Sequence, residues 1–217
     1  MWLLNSLFKN KTTISYAITV CDESVELKLL LDHLIGLIDN NDEILIIQDI
    51  TNEDLEISKI INSYGNKLKH IKAKLNGDFS QFKNNILDIA KCKYVFQIDA
   101  DEIPNTYLIQ NLKTFLLKNN GDCFLIPRIN IVDGITTNDL NLWGWKKNEL
   151  GYINYPDYQM RLFKNQKRKI YWKNKVHEEL VGFKNLIPLP IENYKYCLIH
   201  RKNIEKQKIQ NEFYEKL

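Results

Sequence analysis

The stretch Lys93-Tyr-Val-Phe-Gln-Ile-Asp-Ala-Asp-Glu-Ile-Pro104 decides the fold class of this chain. Its apolar residues 94–98 predict a buried strand, which Pro104 stops. The strand is followed by three carboxylates, Asp99, Asp101 and Glu102. Ligands of open α/β sheets bind at the carboxyl ends of strands. Carboxylates gathered there repel one another unless a cation or hydrogen-bond donors compensate them, so we predict a binding site here, with a solvated acidic turn as the alternative.

Asp99 and Asp101 are the preferred ligands for a divalent metal that carries a diphosphate. Mg²⁺ typically takes one or two protein carboxylates together with phosphate oxygens and waters. Such a metal can also act as a Lewis acid on a phosphate oxygen. Asp-x-Asp alone is a weak motif, so a function can be assigned only when other motifs of the chain agree with it.

The bulk composition indicates one globular domain. The chain has 217 residues, of which 44% are apolar and 26% charged, enough for a substantial core. A net charge of +3 does not indicate nucleic-acid binding, and no apolar run approaches the length of a membrane span. Residues 1–8 lack the pattern of a signal peptide and are expected to be a docking segment or a disordered tail. The four scattered cysteines predict reduced thiols in a cytoplasmic protein.

The first half of the chain alternates strand and helix signals. Predicted strands cover residues 14–20, 43–48, 71–75 and 94–98, and predicted helices cover residues 25–38, 55–64 and 79–91. The first helix carries apolar residues at helical spacing, among them Val25, Leu29 and Leu30. This order predicts an α/β fold with a Rossmann-like, mostly parallel sheet flanked by helices on both faces.

The second half has a different texture. We predict helices over residues 105–117 and 203–217, strands over residues 124–132, 158–163, 170–172 and 195–200, and a long loop over residues 133–156. Long ordered loops are often functional. A single domain is expected over residues 1–217, in which a nucleotide-type half (about 12–102) grades into a mixed, substrate-type half (about 103–217).

Four segments carry a family resemblance that covers most of the chain. In order, they are Ile18-Thr-Val-Cys-Asp-Glu23; Gln48-Asp49; Gly77-Asp-Phe-Ser-Gln-Phe-Lys-Asn84 with Asp99-Ala-Asp-Glu102; and Tyr158-Gln-Met-Arg-Leu-Phe163 with Trp172, Val176-His-Glu178 and Ile199-His200. Together they resemble glycosyltransferase family 2, which has the GT-A fold, and within it the subgroup that modifies lipopolysaccharide core and other surface glycans. The resemblance implies a nucleoside-diphosphate sugar donor, a UDP-sugar being favoured, and Mn²⁺ or Mg²⁺.

The resemblance also assigns residues to the donor and the metal. It implies Asp99, Asp101 and His200 as metal ligands, and as donor-binding residues Thr19, Glu23, Asp49, Lys83, Asn84, Asp99 and Arg161. Several of these positions have a structural alternative. Asp49 is otherwise a strand-terminal cap, and Glu23 otherwise caps the following helix. Lys83 and Asn84 are expected at a helix start that favours phosphate, although a solvated lysine is the alternative.

Two further alternatives concern charged groups in strands. A mid-strand arginine such as Arg161 requires a partner, either a phosphate or an internal carboxylate. His200 ends an apolar run, and a satisfied core histidine is the alternative to a metal ligand.

Sugar transfer with inversion needs a base that takes the proton of the acceptor hydroxyl. The candidates are Asp157, Glu178 and Glu179, of which we favour the first two. The residue His177 accompanies Glu178, as in the family's His-Glu pair, and is expected to bind acceptor or order the site. Four aromatic residues are a candidate acceptor platform or simply core: Trp143, Trp145, Tyr152 and Tyr155.

Two departures from the family pattern indicate which type of sugar transfer is favoured. Lys83 stands where the family usually has arginine, and Gln-x-x-Arg-Trp, the processive synthase signature, is missing, so a single addition is favoured. The acceptor is expected to be a glycan or a glycolipid. The basic run 164–175 faces either an anionic glycolipid or membrane surface or simply solvent, so a peripheral position at the inner face of the membrane is included in the prediction.

Two other functions compete on the same scaffold. One is a catalytically silent glycan-binding module. The other is a sugar nucleotidyltransferase, which is disfavoured because Cys21-Asp-Glu-Ser-Val25 offers no glycine-rich, basic phosphate loop.

Overall fold

The structure, a computed structural model, describes residues 12–214, so the predicted tail at residues 1–8 lies outside the described residues. Its strands are β1 (Ile14–Val20), β2 (Glu43–Asp49), β3 (Lys69–Ala73), β4 (Tyr94–Asp99), β5 (Glu102–Pro104), β6 (Cys123–Asp133), β7 (Ile153–Lys164), β8 (Tyr171–Lys173), β9 (Glu179–Val181), β10 (Leu186–Pro188) and β11 (Leu198–Asn203). Its α-helices are α1 (Ser24–Ile35), α2 (Leu55–Ser63), α3 (Phe79–Ile89), α4 (Thr106–Lys118), α5 (Thr137–Trp143) and α6 (Ile204–Tyr214).

The strands form one large sheet and one small hairpin. The large sheet has the order β3-β2-β1-β4-β7-β6-β11-β5, and β10 pairs with β6. Strands β1 to β4 are parallel, whereas β7 runs antiparallel to both β4 and β6. β11 is parallel to β6 and antiparallel to β5. The hairpin β8–β9 stands apart as its own two-stranded sheet. A parallel first half followed by a mixed second half is the predicted α/β architecture.

Helices cover both faces of the large sheet, because its central strands are apolar on both sides. On β2, Ile44 and Ile46 pack with α1, α2 and α4 in one core cluster. Leu45 and Ile47 pack on the opposite face with α3 and with residues of the β8–β9 hairpin. Strands buried on both faces read as continuous apolar runs, which is why their positions were predictable.

The structure corrects part of the apolar pattern predicted for α1. Leu30 is buried as expected, together with Leu27, Leu31 and Leu34, whereas Val25 and Leu29 are exposed. These four positions follow the i, i+3, i+4, i+7 spacing of one helix face, whereas Val25 and Leu29 lie on the other side.

Two other expectations also change. The predicted loop 133–156 contains α5, whose start is fixed by a capping box between Thr136 and Asp139, as well as the beginning of β7. Pro104 does not simply stop a strand, because β4 ends at Asp99 and Pro104 then belongs to β5. β5 is an edge strand, where the missing N–H of proline is tolerated. In the described part of the chain, no helix is both long and apolar enough to cross a membrane.

The two neighbouring leucines of α1 offer a matched test of the core. Leu30 is 0% exposed and Leu29 is 59% exposed. We expect Leu30→Ala to lower the free energy of unfolding by about 2–5 kcal/mol through lost burial and a residual cavity. Leu29→Ala is expected to change it by no more than about 0.5 kcal/mol. Denaturant titration followed by circular dichroism measures both, and equal losses would contradict the assigned face.

Candidate active site

The carboxyl ends of β1 and β4 meet at one edge of the sheet, and this edge holds the first part of the site. Thr19 lies opposite Asp99 in the parallel register. The Thr19 hydroxyl donates a hydrogen bond of 2.8 Å to Asp99 Oδ1, and the amide of Ala100 donates to the Thr19 carbonyl at 3.0 Å. The side chains of Thr19 and Asp99, both predicted donor-binding residues, are therefore brought together.

Glu102, the third carboxylate of the acidic stretch, is fully buried between two arginines. Its Oε1 accepts hydrogen bonds from Arg128 Nη1 at 3.0 Å and Arg161 Nη2 at 2.9 Å. Its Oε2 accepts one from the Asp99 amide at 3.2 Å. Glu102 is thus an internal anion that orients cationic side chains, and the solvated acidic turn considered as an alternative is not formed.

Arg161 bridges Glu102 and Asp99, since Nη2 also donates to Asp99 Oδ2. A β-bulge aims this side chain: Leu162 lies opposite Phe124 while Met160 lies opposite Leu125, which leaves Arg161 as the extra residue. Burial alone would raise the pKa of Asp99, but the charges of Arg161 and Lys83 and the Thr19 hydrogen bond outweigh it and lower that pKa. The structure thus places Arg161 in the internal ion pair rather than beside open solvent.

Asp101 and His200 form the second part of the site. His200 Nε2 lies 3.2 Å from Asp101 Oδ2, and His200 Nδ1 lies 2.9 Å from Asn130 Oδ1. Lys202 Nζ approaches the same Asp101 oxygen to 3.1 Å. Burial would raise the pKa of Asp101, but the hydrogen bond and charge of His200, together with Lys202, lower it to about 2. Two of the three predicted metal ligands are therefore in contact.

The residues partly fit a divalent metal. A metal-binding histidine usually gives its other ring N–H to a neighbour, and Asn130 Oδ1 is placed to accept it from Nδ1 of His200. Asp99 does not join this pair, because its carboxylate faces Arg161 and Thr19. Within residues 12–214, no group of three or more His, Cys, Asp or Glu side chains is arranged to hold a metal ion.

Asp157, one of the two favoured bases, is held by donors. Its Oδ2 accepts from Arg128 Nε and Asn130 Nδ2, both at 2.8 Å, and lies 2.7 Å from Arg128 Nη2 in an ion pair, while its Oδ1 accepts from Gln159 at 2.7 Å. Burial would raise the pKa of Asp157, but Arg128 and these hydrogen bonds lower it. A carboxylate stabilised in this way is a weak proton acceptor.

Glu178, the other favoured base, pairs with Lys83. Lys83 is only 6% exposed and its Nζ lies 4.9 Å from the centroid of the Trp172 ring, so the solvated-lysine alternative is wrong. Glu179, the third candidate, is exposed and lies opposite Lys173 in the hairpin. Glu178 therefore faces the body of the protein from the hairpin, with one cation beside it.

Asn84 and the start of α3 are used structurally. The Asn84 amide donates to the Trp172 carbonyl at 2.8 Å and accepts from the Trp172 amide at 2.9 Å. Asp78 is the N-cap of α3 and accepts from the Gln81 amide. Lys83 and Asn84 lie in the second turn, so the expectation that they sit at an open helix start is corrected.

Asp49 ends β2, and Glu23 directly precedes α1. Asp49 Oδ1 accepts from the amide and hydroxyl of Thr51 at 2.8 and 2.6 Å and from the Leu75 amide at 3.1 Å, as a strand-terminal cap does. Glu23 occupies the N-cap position of α1 without a side-chain cap bond, because its Oε2 accepts from the amide of Cys21 at 2.9 Å. Burial, and secondarily the nearby Asp101 charge, raises the pKa of Glu23.

The predicted aromatic platform separates into two groups. Trp143 and Trp145 pack on each other, with ring centroids 4.8 Å apart. Tyr152 and Tyr155 pack with Tyr194, which was not predicted as part of the platform. The ring centroids of these three tyrosines are 5.0–6.2 Å apart. His177 is exposed and has a φ of +53°, in the left-handed region that few non-glycine residues adopt.

Three site residues were not predicted from the sequence: Arg128, Asn130 and Lys202. Arg128 interrupts an apolar strand, as Arg161 does, so the same demand for a partner was a usable signal. Lys202 is two residues after His200 on β11, and alternation places both side chains on one face.

Comparisons with known proteins bear on the family and the fold. The family model for Glycosyl transferase family 2 matches residues 15–206. The poly(ribitol-phosphate) β-N-acetylglucosaminyltransferase TarP of Staphylococcus aureus strain N315 is 29% identical over 84 residues, which is 38% of this chain and 26% of TarP.

Crystal structures of S. aureus TarS are similar in fold. The TarS 1–349 structure has a TM-score of 0.60 at 15% identity, covering 88% of this chain and 60% of that one. The same TarS piece in complex with UDP-GlcNAc has a TM-score of 0.60 at 16% identity, covering 88% and 59%. The chain therefore spans less than two thirds of these relatives. The predicted GT-A fold is confirmed.

We expect Glu102→Gln to destabilise the protein strongly. The substitution keeps the shape but removes the anion between Arg128 and Arg161, and breaking a buried ion pair costs about 3 kcal/mol or more. The exposed Glu179→Gln is the matched control, with an expected change within about 0.5 kcal/mol. Equal unfolding midpoints for the two variants in urea would show that Glu102 does not orient the arginines.

Asp157 gives a pH-dependent prediction. Its folded-state pKa lies below the ordinary value of 3.8. Its contribution to stability is therefore complete above that value and is lost as the pH falls through the folded pKa. In urea unfolding from about pH 6 to pH 2, wild type should lose more stability than Asp157→Asn. The exposed Asp88→Asn should follow wild type, and parallel curves for wild type and Asp157→Asn would contradict the assignment.

Proposed function

Because the chain belongs to glycosyltransferase family 2, we propose that it is an enzyme that moves one sugar from a nucleoside-diphosphate sugar to a glycan or lipid-linked acceptor. The observation that carries this proposal is the pairing of Asp101 with His200 beside Asp99 and Thr19, at the carboxyl edge of a GT-A sheet. This edge is where α/β sheets bind ligands. The first half of the chain, about residues 12–102, is proposed to bind the donor, and the remainder to bind the acceptor.

The donor is proposed to be a UDP-sugar, since the fold neighbour TarS was crystallised with UDP-GlcNAc. Thr19, Glu23 and Asp49 border the position proposed for the nucleoside. Asp49 uses Oδ1 for its own loop. Among residues 12–214, the hydrogen-bond partner of Oδ2 is the distant Cys21 thiol at 3.9 Å, so Oδ2 is the oxygen proposed for a ribose or base. Lys83 and Arg161 are proposed to act on the diphosphate through the charge they place beside Asp99.

Mn²⁺ or Mg²⁺ is proposed to bind Asp101 and His200, with diphosphate oxygens as further ligands. Two protein ligands plus phosphate is an ordinary set for these ions. Asp99 joins only if it releases Arg161. When bound, the metal would supply Lewis-acid stabilisation of the leaving diphosphate.

Glu178 is proposed as the base in preference to Asp157, because within the described residues the Glu178 carboxylate pairs with Lys83 alone, whereas Asp157 is held by Arg128, Asn130 and Gln159 together. Glu178 would take the proton of the acceptor hydroxyl while that oxygen bonds to the anomeric carbon of the sugar. The bond from this carbon to the diphosphate breaks, and the nucleoside diphosphate leaves with the electron pair. Attack from the face opposite the leaving group inverts the anomeric centre.

The acceptor is proposed to approach from the side of the β8–β9 hairpin and the tyrosine group Tyr152, Tyr155 and Tyr194. Exposed basic residues of the run 164–175 are proposed to face an anionic glycolipid or membrane surface, in keeping with a cytoplasmic enzyme that works at the inner face of a membrane. TarP, the curated relative, acts on poly(ribitol-phosphate), which is likewise anionic.

Nucleotide binding tests the donor site. Calorimetry with UDP, GDP, ADP and CDP, with and without Mn²⁺, is expected to find one nucleotide whose binding requires the metal. Asp101→Asn should abolish that dependence because it removes a metal ligand, whereas Asp133→Asn, an exposed aspartate on β6, should bind like wild type. A folded protein that binds none of the nucleotides would overturn the transferase and favour the silent glycan-binding module.

The base is tested separately by turnover of the donor that binds. Glu178→Gln is expected to lower the rate of sugar release by about 10²–10⁴-fold while leaving the affinity for the nucleotide unchanged. The exposed neighbour Glu179→Gln is the control. If Asp157→Asn instead produces the selective loss of rate, the two carboxylates exchange roles.

A further inference from the structure

We propose that Lys202 is a donor-binding residue that contacts the diphosphate, and that it is held on Asp101 until the donor arrives. The inference rests on the proposed function and adds to it a residue that the family resemblance does not assign. Lys202 lies on β11, and its side chain is only 12% exposed.

The geometry places Lys202 and His200 on the same oxygen. Both side chains leave the same face of β11, and both reach Asp101 Oδ2, at 3.1 Å from Lys202 Nζ and 3.2 Å from His200 Nε2. Lys202 Nζ also donates to Gln210 Oε1 on α6 at 2.9 Å. This second bond keeps the ammonium at the site when its contact with Asp101 changes.

The other cations of the site each keep a carboxylate partner that is not a proposed metal ligand. Arg128 and Arg161 are both bound to the fully buried Glu102, and Lys83 is bound to Glu178. Lys202 differs because its anion, Asp101, is itself a proposed metal ligand. A divalent ion at Asp101 would repel the ammonium across a short distance.

Once the metal displaces the Lys202 ammonium from Asp101, the ammonium needs another anion, because it lies in a partly buried site. The metal-bound diphosphate is the anion that arrives with the metal, and lysine is a common phosphate partner as a point charge. Asp99 and Glu23 add negative charge near Asp101, so a cation is also needed there before the donor arrives. Lys202 therefore serves two states of the site, neutralising Asp101 in the free protein and the diphosphate in the complex.

The experiment compares Lys202→Met with the control Lys208→Met. Lys208 is an exposed residue of α6, the helix that directly follows β11. Calorimetry in the presence of saturating Mn²⁺, with UDP and with uridine, separates a phosphate contact from general damage. We expect Lys202→Met to bind UDP about tenfold more weakly, the usual size of one hydrogen bond between charged groups, and to bind uridine like wild type. Lys208→Met should match wild type with both. If another nucleoside diphosphate binds in place of UDP, it is compared with its own nucleoside.

A second readout uses Mn²⁺ alone, measured by electron paramagnetic resonance without nucleotide. Because Lys202 and the metal compete for Asp101, Lys202→Met is expected to bind Mn²⁺ more tightly than wild type does, the opposite sign to its effect on UDP. Weaker or unchanged Mn²⁺ binding would overturn the shared use of Asp101. Lys202→Gln, which keeps a polar contact, replaces the methionine variant if that variant does not fold.

The outcomes also separate this inference from the proposed function. Wild-type UDP affinity in Lys202→Met, or equal losses for UDP and uridine, would overturn the role of Lys202 while leaving the donor site in place. If wild type binds no nucleoside diphosphate of the set UDP, GDP, ADP and CDP, the donor site itself fails and the role of Lys202 fails with it.

Discussion

The buried carboxylate of Glu102 is the interaction on which the rest of the site depends. It holds Arg128 and Arg161 together in the core, and each arginine also donates to one more carboxylate, Arg128 to Asp157 and Arg161 to Asp99. Like-charged guanidinium groups this close would repel each other without the anion between them. Positions on β4, β5, β6 and β7 are therefore linked by charge as well as by the sheet.

The contacts of Arg128 and Arg161 explain why the carboxylates of the site differ in basicity. Carboxylates that face an arginine are stabilised as anions and lose basicity, which suits Asp99 for electrostatic work and disfavours Asp157 as a base. Asp101 is compensated differently, by a histidine and a lysine of one strand, which are easier to displace than a buried guanidinium bound to two partners. At one edge of the sheet, the charge of Asp101 is therefore neutralised by side chains that can be displaced, and the charge of Asp99 by a buried arginine that is held in place.

Local patterns predicted the first half of the fold well, because a strand buried on both faces leaves a continuous apolar run, as in residues 44–47. The site was predictable only in part. The pairing of Asp101 with His200 joins residues far apart in the chain and came from the family resemblance. The contacts of Lys83, Arg128 and Lys202 depend on sheet register, on a bulge and on a hairpin docked against α3, none of which leaves a periodic signal.

The β8–β9 hairpin is joined to the body without entering the large sheet. It is fastened by the two hydrogen bonds between Asn84 and the Trp172 backbone, by the Phe79 amide bonded to the Lys175 carbonyl, and by Trp172 and Leu180 in the core beside α3. A unit attached in this way is modular: its outer residues and its connecting turns can diverge, or be grafted from a relative, while every ladder bond of the large sheet stays in place. Under the proposed function, acceptor choice can then evolve at a pace independent of donor chemistry.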